Sequence, residues 1–289
     1  MATLKAHRRR THRRRAPLSA SALLPFLLIT FGLAWGLLAM VLLIPERLEA
    51  WFGPIRASHP LFILAVYAPA IAAIALAAWH AGAAGLGRFL SRLTLWRCSP
   101  GWYAFLLVGI PAVFFAGAAL AGTPPTASFD GAGVGALLGA LAFMLVLGPV
   151  EEVGWRGFAL PLLQRHVAPV WAGLLLGLVW GLWHLPAFFV SGLPQSAWGF
   201  APFFLGSVAL SVIVTPLFND ARGSILLAAL FHFQLNNPLW PDAQPWDSYL
   251  FAVVALVVVW VHRERMFSRE GAVTEVIPER GERPRRRDE

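Results

Sequence analysis

Eight long apolar segments organise this 289-residue sequence: 18–44, 59–80, 101–122, 134–158, 168–190, 198–219, 223–238 and 247–262. A helix needs about 20 apolar residues to cross the hydrocarbon core of a bilayer. The seventh segment is the shortest, with 16 residues, and it contains His232 and Asn236. We therefore predict an all-α integral membrane protein, a bundle of about eight transmembrane helices.

The composition supports a membrane protein. Only 13% of the residues are charged and 58% are hydrophobic, whereas a soluble domain has about 25% charged residues. This low charge content excludes a soluble enzyme. The single cysteine, Cys98, has no partner in the chain, so a disulfide scaffold is excluded as well.

The basic residues are concentrated at the two ends of the chain. Of 23 Lys and Arg, seven lie in the first 15 residues and eight follow residue 262, whereas the loops on the other side contain only Arg47 and Arg56. By the positive-inside rule, both termini are cytoplasmic in a multi-pass protein of the plasma (inner) membrane. Basic ends of this kind contact anionic lipids, and we expect no binding of nucleic acid.

These features divide the chain into three parts. Residues 1–17 form a basic cytoplasmic tail, and residues 18–265 form the transmembrane domain, with its polar core at about 134–240. Residues 266–289 form a charged cytoplasmic tail, which we expect to be disordered because polar and charged residues dominate it.

The loop 81–100 has the pattern of a short amphipathic helix on the inner membrane surface. Leu86 and Phe89 would face lipid, while Arg88 and Arg92 would meet phosphate groups. A plain helical connector is the alternative interpretation.

Few ionisable residues interrupt the apolar segments. Only His184 and His232 among eight histidines, and only Glu151 and Glu152 among 15 acids, lie well inside them. Such residues are costly in a membrane and usually functional. Glu152 and Arg156 are four residues apart and can pair on one helix face, a supporting role, whereas Glu151 points about 100° away and stays available for chemistry.

The positions of these residues along their helices favour one common site. Glu151 and His184 lie roughly 23 and 26 Å from the turn that joins the fourth and fifth segments. His232 and Asn236 lie roughly 15 and 21 Å along the seventh segment from the same side. If the helices are neighbours, the four side chains converge in one buried layer, reached from the cytoplasmic side or sideways from lipid.

Such a set of side chains suits hydrolysis. Glu151 can take a proton from a water molecule that His184 helps to hold. His232 and Asn236 can donate hydrogen bonds to the oxyanion of a tetrahedral intermediate.

Three motifs in this order resemble those of the CPBP family, which includes CAAX prenyl proteases and bacteriocin-processing enzymes. The motifs are Glu151-Glu152-x-x-x-Arg156, Trp180-x-x-x-His184 and His232-x-x-x-Asn236. Trp180 stands where many members of the family have Phe. The resemblance implies an intramembrane endopeptidase with eight helices, in which Glu151 and His184 activate water and His232 and Asn236 bind the substrate or oxyanion. A membrane-associated protein or peptide is the implied substrate.

Two questions stay open from the sequence. Glu151, His184 and His232 can form a three-ligand zinc site, but no HExxH pair on one helix supports it, so the cofactor is either absent or zinc. The alternative function is non-catalytic: an immunity or scaffold protein, or a small transporter that uses the buried groups as a proton or ion site. The sequence does not fix the oligomeric state.

Overall fold

The computed structural model describes residues 18–127, 131 and 133–279. Within these residues the regular secondary structure is helical, without strands, as predicted. The predicted N-terminal tail, 1–17, and the end of the C-terminal tail, 280–289, lie outside the described residues.

The helices alternate between long apolar rods and short connecting turns. Proline occupies the first turn of α2, α3, α4 and α8, where its missing N–H leaves no helical hydrogen bond unmade. The helix bounds are α1 (Leu23–Leu43), α2 (Pro45–Phe52), α3 (Pro60–Val66), α4 (Ala68–Leu90), α5 (Pro100–Ala121), α6 (Val134–Val146), α7 (151–164), α8 (Pro169–Trp183), α9 (Phe200–Asp220), α10 (Ile225–Leu235), α11 (Trp246–Val261) and α12 (Arg263–Met266).

Six stretches in the described part of the chain are long and apolar enough to cross a membrane: Ala20–Leu43, Ala68–Thr94, Pro100–Ala121, Val134–Gln164, Pro169–Phe189 and Phe200–Asp220. The predicted seventh and eighth segments correspond to α10 and α11, which have 11 and 16 residues. At 1.5 Å per residue they are about 17 and 24 Å long. The multi-span helical bundle is confirmed, and the count of eight spans stays a prediction.

Two hydrophobic cores meet inside the bundle. One is formed mainly by α1, α3, α4, α7 and α8, and the other mainly by α5, α9, α10 and α11. Helix α9 joins them because it packs against both α8 and α11. Gly177 lies at the α8–α9 contact, where an added Cβ would lie 2.8 Å from Val208 Cα. Gly173 and Gly181 make similar approaches to α9, as expected for small residues four apart.

The loop 81–100 differs from the predicted amphipathic surface helix. Helix α4 continues through it to Leu90, with a kink at Gly82, whose φ of 65° suits glycine. Phe89 and Arg92 are 0% and 2% exposed, so neither faces lipid or phosphate. Arg92 instead donates hydrogen bonds to the carbonyls of Gly157 and Gly223, at 2.8 Å each. The prediction is therefore wrong for these two side chains.

Residues 268–279, which we call the C-terminal strap, pack against the bundle. Val276 is buried, and its carbonyl accepts a hydrogen bond from Arg92 Nη1 at 3.0 Å. The carbonyl of Val273 accepts one from Gln164 Nε2 at 2.8 Å, and that of Thr274 accepts one from Arg165 Nε at 2.8 Å. The prediction of a disordered tail is wrong for this stretch, because its backbone satisfies polar side chains that the bundle buries.

Candidate active site

A helix break positions the paired glutamates. Helix α6 ends at Val146, and residues 147–150 form turns before α7 begins at Glu151. Pro149 lacks the N–H that a continuous helix would need. The Tyr67 hydroxyl donates to the carbonyl of Val146 at 3.0 Å. Glu151 therefore lies in the first turn of α7, where the helix dipole favours a negative charge, and not within one unbroken helix as the sequence predicted.

Glu151 is buried and held by a tryptophan from another helix. Its side chain is 4% exposed, and its Oε2 accepts a hydrogen bond from Trp180 Nε1 at 2.9 Å. The sequence identified Trp180 only as part of a motif, and its indole N–H is the contact that orients the carboxylate. The second oxygen, Oε1, has no hydrogen-bond partner among the described residues.

Glu152 joins Arg156 to His232. Arg156 Nη1 donates to Glu152 Oε1 at 2.9 Å, which confirms the predicted pair four residues apart. His232 Nδ1 lies 2.7 Å from the same oxygen, a contact that the sequence did not suggest. The Arg156 guanidinium also stacks over the Trp180 ring, 4.6 Å from its centre. Glu152 thus orients the His232 ring as well as pairing with Arg156.

His184 lies at the end of α8 with one ring nitrogen committed. Its Nδ1 lies 2.8 Å from the carbonyl oxygen of Trp180. A carbonyl accepts hydrogen bonds and never donates them, so Nδ1 carries the hydrogen and Nε2 of the neutral ring is an acceptor. The rings of Trp183 and Phe203 lie edge-on to His184, with centres 4.8 and 5.1 Å away.

Asn236 and His232 meet at a glycine that lies outside the three sequence motifs. Asn236 directly follows the last residue of α10, and its exposed side chain lines a cavity between the helices. A Cβ on Gly148 would collide with Asn236 Nδ2 and would lie 2.9 Å from His232 Nε2. The signal in the sequence was the Gly148-Pro149 pair, which marks a turn.

One cavity of about 460 Å³ contains all four predicted site residues. Glu151, His184, His232 and Asn236 line it. Residues of the loop that contains Trp198 and of the loop 237–245 also line it. The charge pattern predicts that both loops lie on the non-cytoplasmic side. Access to the cavity from the cytoplasmic side or sideways from lipid stays a prediction.

Each side chain considered as a zinc ligand has one atom in a hydrogen bond and a second one outside it, and the zinc alternative stays a prediction. Among the described residues, no group of three or more His, Cys, Asp or Glu is placed to hold a metal ion. The Nδ1 atoms of His184 and His232 are engaged with Trp180 and Glu152. Glu151 uses Oε2 to accept from the Trp180 indole.

Comparisons with known proteins agree with the motifs. Residues 133–237 match the family described as type II CAAX prenyl endopeptidase Rce1-like. The chain is also 30% identical over 142 residues to CAAX prenyl protease 2 of Methanococcus maripaludis, an alignment that covers 45% of this chain and 52% of the relative. The chain thus spans about half the length of this curated relative. The three motifs, on which the resemblance to the CPBP family rests, lie inside the matched region.

Proposed function

We propose that this protein is an intramembrane endopeptidase that hydrolyses a peptide bond of a membrane-associated protein or peptide. The observation that carries the proposal is the convergence of Glu151, His184, His232 and Asn236 on one cavity between apolar helices. The similarity of residues 133–237 to the Rce1-like endopeptidase family and of the chain to a CAAX prenyl protease supports the same reaction class.

Water activation is assigned to Glu151 and His184. The free Oε1 of Glu151 and the acceptor Nε2 of His184 both suit the hydrogens of one water molecule. As the water oxygen attacks the peptide carbonyl carbon, Glu151 takes its proton. The proton then passes to the amide nitrogen and the C–N bond breaks. The products are a carboxylic acid, which keeps the second proton of the water, and an amine.

Stabilisation of the oxyanion is assigned to His232 and Asn236. The Asn236 amide is a hydrogen-bond donor as it stands. His232 Nδ1 faces Glu152, so Nε2 donates when the ring is an imidazolium. In that form the charges of Glu151, Glu152, Arg156 and His232 sum to zero, which is favourable in a buried site.

The membrane and its two faces complete the proposal. We place the protein in the plasma membrane with cytoplasmic termini, because two loops that line the cavity, 191–197 and 239–246, contain no Lys or Arg. The substrate then reaches the cavity from the non-cytoplasmic face or sideways from lipid. Helix α6 contributes Met144 to the cavity wall, and none of its residues is buried, as expected for a helix that borders a path from the lipid.

A cleavage assay in lipid nanodiscs tests the proposal. Wild type, Glu151→Gln and His184→Ala are compared on a peptide library, with and without a chelator, and the exposed Glu46→Gln on α2 serves as the matched control. We expect wild type and the control to cleave equally and both site variants to lose at least about a hundredfold in rate.

Three outcomes contradict this proposal. Cleavage by Glu151→Gln at the wild-type rate excludes Glu151 as the base. Loss of cleavage with chelator, restored by zinc, shows that a metal takes part and that the four side chains do not activate water alone. Absence of cleavage by folded wild type, with proton or ion flux in vesicles, favours a transporter.

A further inference from the structure

Two aspartates line the cavity in addition to the groups assigned to catalysis. Asp247 lies in the first turn of α11 and is 8% exposed, and Asp242 lies in the loop before it and is exposed. Both belong to the same cavity as Glu151. The proposed hydrolysis uses neither of them.

The cavity wall contains no cation to balance these two carboxylates. Its ionisable side chains are three acids, Glu151, Asp242 and Asp247, and the two histidines. Among the described residues, no Lys or Arg lines it. Arg156, which lies behind the wall, already pairs with Glu152. A buried carboxylate without a counter-ion attracts a cation strongly, because little water screens it.

Hydrogen bonds hold both carboxylates in place. Asp247 accepts from the backbone N–H of Ser248 at 2.6 Å and from Gln244 Nε2 at 3.2 Å. Asp242 accepts from Trp198 Nε1 at 3.1 Å and from the backbone N–H of Gln244 at 3.1 Å. All of these donors are neutral, so the negative charges remain available to a ligand.

Close helix packing fixes the first turn of α11. A Cβ on Gly117 of α5 would lie 3.0 Å from Asp247 N, and a Cβ on Gly206 of α9 would lie 2.7 Å from Ser248 Oγ. The turn is therefore held between two helices, and Asp247 cannot move away from the cavity without disturbing both contacts.

We propose that Asp247 and Asp242 bind a cationic side chain, lysine or arginine, of the substrate segment that occupies the cavity while the scissile bond lies at Glu151. This inference rests on the proposed function, and it specifies that the preferred substrate carries a positively charged side chain. The indoles of Trp198 and Trp240, which also line the cavity, offer apolar surface for the methylene groups of such a side chain. An anionic side chain is repelled at the same place.

A binding experiment with the Glu151→Gln protein tests this without requiring turnover. The protein in nanodiscs is incubated with a randomised peptide library in which single positions carry Lys, Gln or Glu. We expect peptides with Lys at one position to bind about tenfold more tightly than those with Gln, and those with Glu to bind more weakly still. Asp247→Asn in the same background should remove most of the preference, and Asp247→Lys should reverse it. Glu46→Gln should change nothing.

The results separate this inference from the proposed function. Cleavage by wild type without a preference for Lys overturns the inference and leaves the endopeptidase intact. A preference for Lys that Asp247→Asn removes, in a protein that never cleaves, supports the cationic subsite and counts against catalysis. A Lys preference that survives in a folded Asp247→Asn, Asp242→Asn double variant overturns the inference, because the selectivity then arises elsewhere.

Discussion

Gly148 illustrates how the absence of one methyl group determines the geometry of the candidate site. It lies in the break between α6 and α7, three residues before Glu151, and its Cα faces the polar ends of His232 and Asn236. No other residue type leaves room for both side chains at this point. The space that a Cβ would fill is next to the groups assigned to the oxyanion.

Replacement of Gly148 by Ala should therefore impair catalysis more than folding. The Asn236 amide is the free end of a side chain and can move aside, so we expect a melting temperature close to that of wild type. Its displacement should lower kcat at least about tenfold, as the loss of an oxyanion donor does. Gly139→Ala on α6, where a Cβ meets nothing within 4 Å, is the control. Full activity of a folded Gly148→Ala protein contradicts the assigned role of Asn236.

The sequence predicted contacts within one helix better than contacts between helices. The Glu152–Arg156 pair follows from the helical period alone, and it is present. The contact between Glu152 and His232 joins residues 80 positions apart. It depends on how α7 packs against α10, which spacing along one chain cannot show. The roles of both residues in catalysis stay predictions.

Hydropathy predicted the long helices correctly, but it predicted exposed positions for Arg92 and the C-terminal strap, which pack inside the bundle or against it. Arg92 has the pattern of a surface residue, yet carbonyl groups of three separate chain segments surround it. The composition of the C-terminal strap predicts a solvated tail, because its apolar residues, such as Val273 and Val276, are few. The errors about Arg92 and about the strap have one cause. The buried arginine and the polar C-terminal strap stabilise each other only after folding.

Removal of the C-terminal strap should destabilise the bundle without altering the site. A chain ended after Phe267 loses one of the two acceptors of Arg92 Nη1 and one of the two acceptors of Gln164 Nε2, together with the burial of Val276. Each buried N–H left without an acceptor costs about 1–3 kcal/mol, so we expect the melting temperature in nanodiscs to fall by about 5 °C or more. A chain ended after Glu279 keeps the strap and is the matched control. Equal melting temperatures contradict this structural role.

The basic residues of the whole molecule are unevenly distributed around the bundle. Arg88, Arg92 and Arg165 contact the C-terminal strap, whereas no Lys or Arg of the described residues lines the cavity. The charge distribution along the sequence predicts a cytoplasmic strap and non-cytoplasmic cavity loops, because loops on alternate sides can be counted without knowing the fold, and this orientation stays a prediction. The position of the cavity cannot be derived from such a count, because it depends on where α6 ends before Glu151 and where α10 ends before Asn236.

Labelling of single cysteines tests the orientation that the charges predict. In a Cys98→Ala background, exposed Ser58→Cys lies beside Ala57 at the cavity, and exposed Ser91→Cys lies at the end of α4 on the opposite face. Because basic loops are retained in the cytoplasm, a membrane-impermeant maleimide should label position 58 in intact cells and position 91 only after permeabilisation. The reverse labelling pattern would place the loop beside the cavity in the cytoplasm and make cytoplasmic proteins the accessible substrates. Labelling at position 58 alone means that substrates approach from the non-cytoplasmic face.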